Sequence, residues 1–283
     1  MSLYEAILLG LIQGLTEFLP VSSSGHLALA KPLLGIDSEA GHFTALVVFV
    51  HLGTAFSVLT VYRQQVASII IQTLLALRKP SRGMKEYHKN ESLQLAVMIT
   101  ATLIPTGIAY VFMKDSIDAF FAAPHWVGAM LMFTAVLLTL TLIRPNPDGK
   151  INLKKALIIG CAQSFAMLPG ISRSGSTIAA AIYLGVNRQH AANFSFLMAL
   201  PVIFAGALLE GKGLLNSGIN SNQWIAILAS TLTAYLSGLV AIKLVLGVIK
   251  RGKLQYFAIY CLLVGILAVV ILNEQPVKNF CNF

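Results

Sequence analysis

The stretch Gln13-Gly-Leu-Thr-Glu17-Phe-Leu-Pro-Val-Ser22-Ser23-Ser24-Gly25-His26 interrupts an otherwise apolar run with a carboxylate, a proline and a string of hydroxyls. It has a counterpart at a constant offset of 150 residues, Gln163-Ser-Phe-Ala-Met-Leu-Pro169-Gly170-Ile171-Ser172-Arg173-Ser174-Gly175-Ser176-Thr177. The same offset pairs Gly10 with Gly160 and Leu34-Gly35 with Leu184-Gly185, and no gap is needed from the first match to the last. Two related halves therefore run about 1–143 and 151–283 in one membrane domain, 1–283. Each contains one polar break.

The surroundings of the breaks identify the solvent. Hydrophobic residues make up 57% of the 283 and charged residues 11%, with a mean hydropathy of +0.78. A water-soluble domain carries about 25% charged residues on a surface that must be wetted, so most of this chain's outside faces lipid. Six stretches without Asp, Glu, Lys or Arg, roughly 42–62, 92–113, 125–143, 191–209, 222–242 and 254–273, approach or reach the ~20 residues that span about 30 Å of hydrocarbon as helix. The segments 6–16 and 156–168 are shorter, and each leads into a Pro- and Ser/Gly-rich turn. Irregular backbone at membrane depth must be shielded by protein or water. The pattern predicts an all-α polytopic membrane protein of six transmembrane helices plus two re-entrant helix-loop-helix elements.

Charge orients it. Fifteen of the 20 Lys and Arg residues fall on one face if the six spans alternate, in the connections 63–91 and 144–155, at Arg188 and over 243–253. The positive-inside bias puts that face in the cytoplasm and both termini outside. Three crossings plus one re-entrant element per half invert the second half, and inverted repeats place a site near the midplane where broken elements meet. The formal charge of +9 suggests no nucleic-acid partner, because its carriers sit in short connections beside lipid headgroups. Cys161, Cys261 and Cys281 show neither metal spacing nor an even framework. A cleavable leader is not expected, since the first apolar stretch has no basic start.

Gln13 and Glu17, four apart, share a helix face. An ionisable side chain in an apolar run is costly and points to a site; Glu17 suits a divalent metal or a general base, and His26 a proton relay. Arg173 offers a fork matched to phosphate oxygens. Ser22, Ser24, Gly25, Ser172, Gly175, Ser176 and Thr177 complete a small-residue cradle of the kind that receives an anion at a helix start. Helix packing by small residues accounts for the Ser and Gly, but not for Arg173. The set suits phosphoryl transfer. The attacking group stays open among Ser23, Ser174 and a water activated by Glu17 or His26. His51 reads as a packing or water-contacting residue, Pro105 and Pro201 as kinks, Trp126 and Trp224 as interfacial anchors.

The segments Glu17–His26 and Pro169–Thr177 resemble the two signature segments of the bacterial undecaprenyl-pyrophosphate phosphatase family, the bacitracin-resistance type, and the likeness in length and span order covers essentially the whole chain. It implies hydrolysis of undecaprenyl pyrophosphate, a polyprenyl lipid, to the monophosphate carrier used in cell-wall synthesis. It also implies a divalent cation (Mg or Ca), the bacterial inner membrane, and a site open to the periplasmic side. Residue by residue it implies a site of Gln13, Glu17, Ser23, His26, Ser172, Arg173, Ser174 and Thr177. The family's first motif begins with Glu or Gln, and Gln13 is the Gln form, leaving Glu17 as the carboxylate of a metal pair. A secondary transporter or lipid flippase for an anionic substrate is the alternative, because inverted repeats with broken helices are also a transporter architecture. Monomer and homodimer both remain open.

Overall fold

A computed structural model describes residues 1–36, 40–78, 87–121, 124–144, 147–214 and 220–273. Cys281 and most of the basic run 78–89 lie outside the described residues. Eleven helices are named here: α1 Leu3–Phe18, α2 Ser23–Leu33, α3 Ala40–Val61, α4 Arg63–Arg78, α5 Glu91–Phe121, α6 Pro124–Leu140, α7 Leu153–Phe165, α8 Arg173–Tyr183, α9 Arg188–Leu214, α10 Ser221–Lys250 and α11 Gln255–Asn273. No strand occurs among the described residues; an isolated bridge pairs Gly149 with Val186.

Among the described residues five helical stretches are long and apolar enough to cross a membrane: Phe43–Val61, Glu91–Lys114, Trp126–Ile143, Arg188–Gly211 and Ser221–Lys250. The sixth expected span is helical, but its apolar stretch, Gln255–Val270, is shorter than the other five. The connection 63–91 is not a bare loop, since α4 occupies Arg63–Arg78 and is tied to the start of α5 by Ser68–Ser92 and Asn90–Gln72 hydrogen bonds of 2.8 Å.

The two breaks are built alike. Proline disfavours helical backbone in the residue before it, and Leu19, before Pro20, is extended where α1 stops. Ser22 then accepts from Gly25 N–H and caps α2, while Ser172 accepts from Gly175 N–H and caps α8. Both capped helices are 11 residues long. Ser22 caps from a positive φ of 70°, the one such non-glycine residue among those described, and Gly170 turns its break at φ 95°.

Packing runs crosswise between the halves. Helix α1 lies chiefly on α10, and α7 chiefly on α5. Glycine permits both approaches: a Cβ on Gly10 would stand 2.3 Å from the Ser230 carbonyl oxygen, and one on Gly160 would stand 2.8 Å from Thr102 Cα. Helices α6 and α11 meet at a reciprocal pair, each of Gly128 and Gly265 touching the other's carbonyl. Small residues of this kind let membrane helices pack by dispersion where lipid removes the hydrophobic drive. The outward stripe of α10, Leu228, Leu232, Leu236, Val240 and Leu244, is exposed, while Ile227, Ala234, Ala241 and Val245 are buried. Both faces are apolar, as a lipid-facing helix requires.

Candidate active site

Four elements converge on the Glu17 carboxylate, whose side chain is only 4% exposed. From its own helix, Gln13 donates Nε2–H to Oε2 at 2.9 Å, the contact that an i,i+4 spacing creates. Ser23, first residue of α2, donates its hydroxyl to Oε2 at 2.5 Å. Arg173, first residue of α8, donates Nη2–H to Oε1. From α3, His51 brings Nε2 to 3.8 Å from Oε2, its Nδ1 lying 2.8 Å from the Val47 carbonyl oxygen. Ser23 and Arg173 are the same position of the two breaks at the 150-residue offset. The repeat thus brings two different chemistries, a hydroxyl and a guanidinium, to opposite oxygens of one carboxylate.

A cavity of about 300 Å³ opens on this cluster, lined by Glu17, Ser23, Ser24, His51, Thr106, Gln163 and Arg173 among apolar side chains that include Val47, Met167 and Ile203, and reaching Glu210 near the far end of α9. Arg173 Nη1 is buried without a protein partner, leaving half of its fork for an anion. A larger, more open groove of about 690 Å³ between α3 and α10 carries Arg63 among mainly apolar residues, and no carboxylate or imidazole.

Of the residues singled out from sequence, Glu17, Ser23, Ser24 and Arg173 line the cavity. The others hold its frame. Ser22 approaches the Ile171 carbonyl at 3.4 Å, and Ser174 donates to the Leu19 carbonyl at 3.1 Å. A Cβ on Gly25 would meet the Gly170 backbone at 3.0 Å, and one on Gly175 would meet Pro20 at 3.3 Å. Ser172 caps α8 and Thr177 bonds to Ser195 at 2.7 Å, whereas the buried Ser176 hydroxyl has no protein partner. His26 lies apart from the cavity lining. Its Nδ1 is 2.8 Å from the Ser22 carbonyl oxygen, its Nε2 is 2.8 Å from the Tyr260 hydroxyl, and its ring stacks on Tyr260.

His51, which reads in sequence as a packing or water-contacting residue, lines the cavity too, as do Thr106, Gln163 and Glu210, which the sequence did not mark as site residues. Two had signals: His51 is ionisable inside an apolar span, and Gln163 is the offset partner of Gln13. Gln163 reaches Thr106 at 3.0 Å, a contact between distant spans with no local signature.

A divalent cation, expected from the sequence, needs a set of hard donors. Among the described residues no three His, Cys, Asp or Glu side chains assemble. Gln13 Oε1, however, is a buried oxygen with no protein donor, on the amide whose Nε2–H bonds the Glu17 carboxylate. Hard cations take oxygen ligands, and magnesium commonly binds one or two carboxylates with the rest from substrate phosphate and water. The residues fit such an ion.

The chain is similar to an undecaprenyl-diphosphatase of Salinibacter ruber, 49% identical over 265 residues that cover 94% of this chain and 97% of that protein. Those of Bacteroides fragilis (40% identical, 97% and 100% covered) and Halothermothrix orenii (41% identical, 96% and 98% covered) are also similar. Residues 6–267 match the family described as bacitracin resistance protein BacA, and with relatives this similar along nearly the whole length, the chain belongs to the BacA family.

Proposed function

We propose that this chain is a phosphatase of the bacterial plasma membrane that hydrolyses undecaprenyl pyrophosphate to undecaprenyl phosphate and inorganic phosphate, returning the carrier lipid to cell-wall synthesis and conferring bacitracin resistance. The observation that carries this is the buried Glu17 carboxylate held between a serine hydroxyl and an arginine on one cavity. Family membership and the activity after which its relatives are named support the same substrate.

A carboxylate that accepts a hydrogen bond from a serine is a base beside a nucleophile. Ser23 Oγ attacks the terminal phosphorus while its proton passes to Glu17. The P–O bond to the bridging oxygen breaks, and undecaprenyl phosphate leaves. Glu17 returns that proton to the departing lipid phosphate. Water then attacks the phosphoserine, and Glu17 takes the water's proton and passes it to Ser23 Oγ as the Ser23 O–P bond breaks, which releases phosphate and restores the serine. Arg173 exchanges its contact with Glu17 for the phosphate oxygens and stabilises the charge that develops there. Ser174 is less suited to attack, because it is committed to Leu19 and Ser172 and does not line the cavity. Glu17 and Gln13 Oε1 would hold a divalent cation, whose chemistry when bound is to neutralise phosphate oxygens.

The arrangement is further read as two inverted repeats with six crossings and two re-entrant elements. The crosswise packing of α1 on α10 and α7 on α5 supports it. So do the contacts Gly25 with Gly170 and Gly175 with Pro20, which are one pair exchanged by the 150-residue offset. The cavity runs toward Glu210, at the opposite end of α9 from Arg188. That direction supports opening to the periplasm, with both termini outside.

The test is phosphate release from undecaprenyl pyrophosphate by purified protein. Wild-type turnover in both Glu17→Ala and Arg173→Ala would sink the proposal. Lipid scrambling in proteoliposomes without phosphate release would transfer it to the flippase reading.

A further inference from the structure

The opposite end of the molecule holds a second polar cavity, of about 330 Å³, lined by Asp148, Asn187, Arg188, Lys250, Arg251 and Gly252 among others. Three cations from two helices face one carboxylate there. The walls are fixed by backbone. Gly149 N–H donates to Gly185 and Asn187 N–H donates to Gly149, each at 2.9 Å, pinning the 147–150 segment to the start of α9. Gly252 closes α10 at φ 69° with its N–H on Ile249, and the Arg188 guanidinium stands against it at 3.5 Å from where a Cβ would be. Arg188 is 8% exposed and donates Nη2–H to the Arg144 carbonyl at 3.1 Å. Among the described residues neither Lys250 nor Arg251 has a carboxylate within ion-pair distance.

We propose that this cavity binds the headgroup phosphate of an anionic phospholipid in the leaflet on the Lys- and Arg-rich side. The dipole at the end of α10 accounts for basic residues on that helix, but not for a preformed cavity or for an arginine brought from α9. A lipid is favoured because exposed apolar side chains lie next in the chain to a residue that holds Arg188: Leu142 and Ile143, 48% and 74% exposed, directly precede Arg144, whose carbonyl accepts from Arg188. Beyond Gly252, exposed Tyr256 lies under Lys253 Nζ at 5.8 Å. Acyl chains tethered to a phosphate in the cavity therefore meet apolar surface at once. Basic pockets between spans on the positive side are a general means of holding acidic headgroups. The inference is independent of the phosphatase reading, because lipid retention is measured without turnover.

The experiment is native mass spectrometry of the purified full chain in detergent with phosphatidylglycerol or phosphatidylcholine. Wild type should retain phosphatidylglycerol preferentially. The double variant Lys250→Gln/Arg251→Gln should lose retention about tenfold, and Arg251→Gln alone should lose part of it. Both residues are exposed, so size-exclusion profiles should match wild type. The charge-matched Lys89→Gln/Lys154→Gln, at basic residues that do not line this cavity, should retain lipid as wild type does. Equal losses in the two double variants would assign the effect to diffuse surface charge and overturn the site, as would no loss in either. Displacement of bound phosphatidylglycerol by inorganic phosphate would assign the cavity to the free anion and overturn the lipid.

Discussion

A buried carboxylate paired with a guanidinium is costly to break from either side, because the survivor is left as an uncompensated charge. Glu17→Gln should therefore lower turnover by at least about a hundredfold, through loss of the base, and also lower the melting temperature in detergent. Arg173→Lys keeps the charge but loses the planar fork, so its turnover should fall between wild type and Arg173→Ala. Single-turnover quenching should trap a phosphorylated peptide at Ser23; the label should vanish in Ser23→Ala and persist in Ser174→Ala. A label on Ser174, or no label with turnover intact in Ser23→Ala, would return the attack to another group. Glu17 and Arg173 were legible in sequence because a charge inside an apolar run costs too much to stand there without a partner or a ligand. His51 was not. Its 3.8 Å approach to Glu17 depends on how α3 packs beside α1. His26 shows the reverse: its imidazole reads as reactive in sequence, yet the structure places it between the Ser22 carbonyl and Tyr260.

Among the helices, close approach depends on single glycines. A methyl at Gly10 would meet backbone, the Ser230 carbonyl, at 2.3 Å, and backbone cannot swing aside as a side-chain end can. Gly10→Ala should destabilise by about 1–3 kcal/mol, and because α1 carries Gln13 and Glu17 it should lower turnover as well. Gly107, in α5, has nothing within 4 Å of its position. Gly107→Ala should be neutral or slightly stabilising from helix propensity alone. Thermal melts of the two variants in one detergent check the contrast; equal destabilisation would remove close packing as the cause. The breaks themselves were readable, because Pro20 and Pro169 stop helices and Ser22 and Ser172 cap them by local chemistry. Which helix each break rests on was not readable, because crosswise packing is a long-range choice among several apolar partners.

For the whole molecule, orientation is the sharpest expectation. In a background without Cys161, Cys261 and Cys281, Ser221→Cys at the start of α10 should react with a membrane-impermeant maleimide in intact cells. Lys154→Cys should react only after permeabilisation. The opposite pattern would invert the topology and turn the Glu210 end of the cavity toward the cytoplasm.

Sequence alone determined the apolar surroundings and the helical class, because both follow from composition and period, and it singled out Glu17 and Arg173 as ionisable groups out of place. The tertiary structure decided that Ser23 and Arg173 meet on one carboxylate, that His51 joins them while His26 does not, and that a second cationic cavity lies at the far end. Those are distances between elements separated in the chain by anything from a single turn to more than a hundred residues. Where a spanning helix is apolar on both faces, as α10 is, hydropathy does not choose among partners; close contact of small residues does.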